Sequence, residues 1–171
     1  YKYSKGGQVR LEAQLQIPAG CAFFTPNGMS GKYLDNSNAL DYDGGFVFNV
    51  EFGQNSANYY ADAAIELGDN ASLRGVSAWY TNQPLNVTSP TYTYPPFIVT
   101  KQGVRGAVIS DINLGNSYIG IDARRDQSVI QIDNVKGYPL ASVFRIGSNS
   151  APPQKTRIKH SPKHAKTQHI L

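Results

Sequence analysis

Residues 106–137 read GAVISDINLGNSYIGIDARRDQSVIQIDNVKG, and this stretch contains one short pattern twice. The segment Ile109–Ile112 (ISDI) returns further along as Ile132–Val135 (IDNV). Each copy is a branched apolar residue, two polar residues and a second branched residue. A pattern that recurs at a spacing of about 20–50 residues is typical of architectures built from stacked repeats.

The pattern extends in both directions along the chain. Further copies are Val47–Val50 and Leu73–Val76, and Arg157–Lys159 is the candidate start of a fifth. The interval between Leu73 and Ile109 is the widest of the series. A second apolar element recurs between these copies, as Ala64–Glu66, Phe97–Val99, Gly120–Asp122 and Val143–Arg145.

These elements are predicted to be short strands. No segment keeps apolar residues at helical spacing over three turns, and the β-branched runs are bounded by Gly, Asn and Asp. Simple alternation would turn Ile112 away from the side that Ile109 faces, so a corner is needed at the polar pair between them. Asn and Asp tolerate the left-handed backbone of such a corner, and Gly75 stands at the equivalent place.

The repeat therefore predicts a parallel β-helix over residues 1–154, whose coils stack about 4.8 Å apart. Each apolar position would then lie on its equivalent in the next coil. The wide interval after Leu73 leaves room for an insertion, WYTNQPLNVTSPTYTYPP (residues 79–96), which we expect to project as a loop. Insertions in such folds often form the binding face.

Charge is distributed unevenly. The segment 155–171 holds five Lys and Arg and no acid, so the remaining 11 cations face all 12 acids in residues 1–154. This balance argues against nucleic acid as a partner of the β domain, and we expect the basic tail to be mobile or partner-bound. Cys21 is the sole cysteine, which excludes an intrachain disulfide. No run of 18 apolar residues is present, so no membrane span is predicted.

Several motifs resemble those of a known superfamily. LQIPAGCAFF (residues 15–24) is similar to the turn that opens pectate-lyase-like right-handed β-helices. Residues 63–80, 94–123 and 128–140 look like successive coils of the pectate lyase / rhamnogalacturonase-epimerase-like branch. The resemblance implies an all-β fold, a right-handed single-stranded parallel β-helix (pectin-lyase-like), present here as a partial solenoid. It also implies a secreted, extracellular or virion-surface protein with a polysaccharide partner bound along an outer face.

Two function classes stay open. One is a carbohydrate-active enzyme, either a polysaccharide lyase or a glycoside hydrolase. The other is a non-catalytic structural or attachment module, tailspike-like or part of an extracellular assembly, with further coils or neighbouring chains capping its ends. The Asn-Thr-Asp, Asp-Asp and Gly-His-Gly motifs of polygalacturonases are absent, and all three His lie in the basic tail. No cofactor and no metal site is predicted.

The register of the second element suggests catalytic candidates. Glu66, Asp122 and Arg145 each follow an inward apolar residue and are expected to form an exposed outward column. Two carboxylates separated by two interstrand spacings, about 9–10 Å, would suit an inverting glycosidase. Alternatively, Arg145, Arg124 or Arg125 would stabilise the charge of a uronate in lyase chemistry. The competing interpretation is that these residues form a surface ion pair, which contributes little to the stability of the fold.

Aromatic residues of the insertion are the other substrate-binding candidates, because their ring faces suit sugar rings: Trp79, Tyr80, Tyr92 and Tyr94. The alternative is that they pack down over the coil. Two sequons predict N-glycosylation, at Asn70 and Asn86, if the chain passes through a eukaryotic secretory pathway.

Overall fold

The computed structural model describes residues 7–25, 46–83, 92–125, 129–147 and the backbone strand 156–159, and every regular element in these ranges is a β-strand. The strands are β1 (Gly7–Leu11), β2 (Leu15–Ile17), β3 (Ala22–Phe24), β4 (Phe46–Val50), β5 (Ile65–Leu67), β6 (Ser72–Tyr80), β7 (Ile98–Thr100), β8 (Arg105–Asn113), β9 (Ile119–Ala123), β10 (Val129–Lys136), β11 (Ser142–Ile146) and β12 (Thr156–Lys159).

The strands form two sheets in which every pairing is parallel. Sheet A has the order β1-β4-β6-β8-β10-β12, with β3 also beside β6, and sheet B has the order β11-β9-β7-β5-β2. From β5 onward the chain alternates between the sheets, and from β6 onward each strand lies beside the strand two places earlier. This arrangement confirms the coarser part of the prediction, an all-β fold built from parallel strands.

The register in sheet A follows the sequence repeat. Leu73 pairs with Ile109, which pairs with Ile132, which pairs with Ile158. The predicted equivalence of these copies is thus confirmed, including the wide interval after Leu73. The copy assigned to Val47–Val50 is wrong, because Val47 pairs with Ser77 and not with Leu73.

The reason is that β6 is long enough to pair with two strands on one side. Its first half pairs with β3, where Phe23 is the partner of Leu73, and its second half pairs with β4. The repeat that precedes Leu73 therefore begins at Phe23, far upstream of Val47. The long connection between β3 and β4 conceals this repeat in the sequence.

The predicted corner is present in three strands. Gly75, Asp111 and Asn134 have φ of 74°, 54° and 47°, which is the left-handed region. The Asn134 Nδ2 donates to Asp111 Oδ1 at 2.7 Å, and Arg74 Nε donates to Asp111 Oδ2 at 2.7 Å. The corner turns both branched residues of each copy inward. Accordingly, the four residues that define the repeat are all buried: Ile109, Ile112, Ile132 and Val135.

The second repeated element forms sheet B. Ile65 pairs with Ile98, Ile98 with Ile121, and Ile121 with Phe144, as the sequence predicts. All four are buried and belong to the hydrophobic core. Leu15 of β2 adds one more level on the far side of Ile65.

The insertion differs from its prediction. Tyr80 is 1% exposed and Tyr94 is 3% exposed, and their ring centroids lie 4.6 Å apart within the core. The expectation that they sit on a projecting loop is wrong. One cause is Asn116, whose side chain accepts from the Tyr80 backbone N–H and donates to the carbonyls of Tyr80 and Gln83, which holds the start of the insertion down.

The remaining insertion residues have mixed positions. Trp79 lies in β6 and Tyr92 packs against the core, and both are half-buried. Residues 84–91 lie outside the described part of the chain.

Sheet A also continues past the boundary predicted at residue 154. Strand β12 pairs with β10, so 156–159 belong to the sheet, while the rest of the predicted tail, residue 155 and 160–171, lies outside the described residues. Within the described ranges, no helix has the length and apolar character needed to cross a membrane.

Candidate functional site

An outer column of four residues lies on the face of sheet B that points away from the core. Glu66 pairs with Val99, Val99 with Asp122, and Asp122 with Arg145, so the predicted juxtaposition is correct. The predicted exposure is wrong for both carboxylates, since Glu66 is 8% exposed and Asp122 is fully buried. Residues 51–64, which we call the covering segment, place Tyr59 and Tyr60 over them.

The Asp122 carboxylate is fully occupied by donors. Tyr59 donates its hydroxyl to Oδ2 at 2.6 Å, and Arg124 Nη2 reaches the same oxygen at 2.6 Å. The backbone N–H and Nε of Arg124 donate to Oδ1 at 3.0 and 3.1 Å. Four donors around a buried carboxylate compensate its charge and leave no access for a substrate.

Tyr59 is the residue that connects the cluster. Burial raises its pKa above the ordinary value, and the hydrogen bond to Asp122 and the charge of Asp122 raise the pKa further. The phenol therefore stays protonated at neutral pH and cannot serve as a general base. Its oxygen accepts from Arg145 Nη1 at 3.1 Å and lies 3.4 Å from Arg124 Nη2.

Glu66 forms the second ion pair of the column. Arg125 Nη1 lies 3.0 Å from Glu66 Oε1, and the side chains are 27% and 10% exposed. The Arg125 guanidinium also stacks 4.6 Å from the centroid of the Tyr60 ring. This contact fixes Arg125 between a carboxylate and an aromatic face, a geometry that favours arginine.

Among the three arginines of this cluster, Arg145 is the one for which the described residues supply no carboxylate partner. Its Nε donates to Ser142 Oγ at 3.2 Å and its Nη1 donates to the Tyr59 hydroxyl. The residue is half-buried. The cluster thus holds three guanidiniums, of Arg124, Arg125 and Arg145, against the two carboxylates of Glu66 and Asp122.

This arrangement suits anion recognition better than acid–base catalysis. One strand lies between Glu66 and Asp122, which is the spacing that a glycosidase pair would require. Each carboxylate is neutralised by its own arginine, however. The described residues contain no group of three or more His, Cys, Asp or Glu that could hold a metal ion. The charged group of the cluster without an opposite charge beside it is the Arg145 guanidinium, which donates to Ser142 and Tyr59.

The other predicted site residues lie elsewhere. Tyr80 and Tyr94 are core residues, and Trp79 lies in sheet A, so the described part of the insertion does not supply an aromatic surface next to the outer column. Asn70 is exposed in the turn after β5, and its side chain lies against Gly106.

The glycosylation candidate Asn86 lies outside the described residues. The repeat pattern does not indicate a role for Tyr59, Tyr60 or Ser142 in the cluster. The available signal was the covering segment itself, which makes a long connection between β4 and β5 and carries adjacent tyrosines.

No protein-family model, curated protein or solved structure matches this chain. The likeness of the sequence motifs to pectate-lyase-like proteins therefore stays an expectation. The chemistry of the outer column is the remaining guide to a ligand.

Proposed function

We propose that the two parallel sheets are the sides of one right-handed parallel β-helix of the pectate-lyase-like type. The support is that from β5 onward both sheets add strands in chain order while the chain alternates between them. The left-handed corner recurs at the same register in β6, β8 and β10. Crossover connections between parallel strands are right-handed in the great majority of proteins, which favours that hand.

On this fold we infer an extracellular, non-catalytic module that binds an acidic polysaccharide along the outer face of sheet B. The observation that carries the inference is the surplus guanidinium of Arg145 on that face. Guanidinium groups bind carboxylates through two parallel charge-assisted hydrogen bonds, so a uronate carboxylate fits Arg145. Ser142 is 5% exposed, and its hydroxyl accepts from Arg145 Nε, so it orients the guanidinium.

Binding is favoured over cleavage because the groups that would carry cleavage are already engaged. Asp122 is buried under Tyr59 and Arg124, and Glu66 is paired with Arg125. A general acid would need an unpaired carboxyl beside the scissile bond. Neither carboxylate of the outer column meets that requirement.

The experiment is equilibrium binding of polygalacturonate to the unmodified chain, Arg145→Gln and Arg105→Gln. Arg105→Gln is the matched control, because it removes the same charge from an exposed side chain at the start of sheet A strand β8. Loss of a charge-assisted bond predicts that Arg145→Gln weakens binding about ten-fold or more. Arg105→Gln should change binding far less.

Equal weakening by both variants would show that overall charge, and not the Arg145 site, attracts the polymer. Assays for new reducing ends and for unsaturated uronate should detect no product with the unmodified chain. Product formation that depends on Asp122 or Glu66 would instead support the lyase or hydrolase hypothesis. Absence of both binding and turnover would leave a purely structural module as the better account.

A further inference from the structure

The covering segment lies across sheet B along the direction in which the strands stack. At one end, Gln14 Nε2, just before β2, donates to the carbonyls of Tyr60 and Ala63 at 2.8 and 3.1 Å. Toward the opposite edge of sheet B, the Tyr59 hydroxyl reaches Asp122 of β9 and Arg145 of β11. Because β2 and β11 are the two edges of sheet B, one short segment connects its first and last strands.

The base of the covering segment is held by backbone contacts. Asn55 N–H donates to the Thr93 carbonyl at 2.7 Å, and Asn55 Oδ1 accepts from the Thr93 N–H at 2.9 Å. Gly53 and Asn55 both have positive φ, 75° and 52°, so the chain turns sharply there. Ala64 N–H donates to the Pro96 carbonyl at the opposite end of the segment.

The middle of the covering segment is held differently. Its hydrogen bonds with β9 and β11 pass through the Tyr59 hydroxyl, and the Tyr60 ring stacks on Arg125, just after β9. Residues 56–62 are exposed or half-buried. No residue of 56–62 belongs to the hydrophobic core. A segment with fixed ends and a polar, weakly buried middle is the kind that opens locally without global unfolding.

We propose that the covering segment is a strap that an anionic ligand displaces from the outer column. Tyr59 accepts a hydrogen bond from Arg145, and this is the donor that the ligand's carboxylate would take. Ligand and strap therefore compete, and by reciprocity of coupling each lowers the affinity of the site for the other. This inference rests on the proposed function, since it needs an anion at Arg145.

The test measures polygalacturonate oligomer binding and amide hydrogen exchange on Tyr59→Phe. The substitution removes only the hydroxyl, and Tyr138→Phe, on a tyrosine that is 63% exposed, is the matched control. Release of one competing hydrogen bond predicts that Tyr59→Phe binds about three- to ten-fold more tightly. Exchange in residues 51–64 should be faster in Tyr59→Phe, and faster in the unmodified chain when ligand is bound. Unchanged exchange in β8 shows that the variant is folded.

A second variant tests the strap without touching the anion-binding groups. Asn55→Gly keeps the positive φ and removes the side-chain contacts with Thr93, so it should also raise affinity. Affinity that is unchanged or lower in both variants, with Arg145-dependent binding intact, would overturn the strap and leave the proposed function standing. Slower exchange of 51–64 on ligand binding would also overturn it. Failure of the unmodified chain and both variants to bind would remove the proposed function itself.

Discussion

Replacing Asp122 by Asn should destabilise the protein, because the change leaves the site's shape intact but removes the charge at its centre. Asp122 is fully buried and accepts hydrogen bonds from Tyr59 and Arg124. An Asn amide keeps one acceptor and turns an NH₂ group toward the remaining donors. The Arg124 guanidinium then faces a neutral group in a partly buried position.

The size of the effect follows from the burial of the two partners. Removing one partner of a buried ion pair costs about 3–5 kcal/mol. The Arg124 side chain is 33% exposed, so water can compensate part of its lost partner. We therefore expect a loss of about 2–3 kcal/mol in the free energy of unfolding. For a chain of this size that corresponds to a fall of about 4–12 °C in Tm.

Urea unfolding followed by circular dichroism measures this difference, and the slope of the transition shows whether folding stays two-state. Glu12→Gln is the control, because Glu12 forms an exposed ion pair with Arg10 and its side chain is 70% exposed. That variant should change stability by about 0.5 kcal/mol or less. If Asp122→Asn lost no more than Glu12→Gln, the buried ion pair and the covering segment built on it would be refuted.

Three further outcomes follow from the same structure. Ile132→Ala should lose about 2–5 kcal/mol in urea unfolding, since Ile132 is 1% exposed between paired strands, and a loss below about 1 kcal/mol would contradict its core position. Asn134→Val should be less stable than Asn134→Gly by about 1–2 kcal/mol, because φ there is 47°, and equal stability would show that the corner is not left-handed. Burial raises the pKa of the Tyr59 and Tyr80 phenols, so the native state retains protons that the unfolded chain loses above about pH 10. Stability should therefore fall as pH rises beyond that value, and ultraviolet titration should show both phenols ionising only on unfolding; their ionisation in the folded protein near pH 10 would contradict their burial.

The strand register from β5 onward could be predicted because those repeats are short. ISDI and IDNV follow each other closely enough to be recognised as copies, and their polar pairs indicate the corner directly. The repeat that precedes Leu73 could not be predicted in the same way. There the repeat runs all the way from Phe23 to Leu73, and Val47–Val50 imitates the pattern while pairing with the second half of β6.

The candidate site could be predicted only in part, for a physical reason. Register places Glu66, Asp122 and Arg145 in one column, because residues that follow equivalent inward positions must face the same way. What covers that column depends on contacts between distant residues, such as Tyr59 with Arg145, 86 positions apart. No local periodicity encodes such a contact, so burial of the carboxylates was not foreseeable from the pattern.

The most direct test of the central claim compares two forms of one polymer on the unmodified protein. Polygalacturonate and its fully methyl-esterified form share a backbone and differ in the charge of each sugar. If Arg145 recognises a carboxylate, the acidic form should bind about ten-fold or more tightly, and the difference should shrink as salt is added. Equal affinity for the two forms at low salt would contradict anion recognition at the outer column.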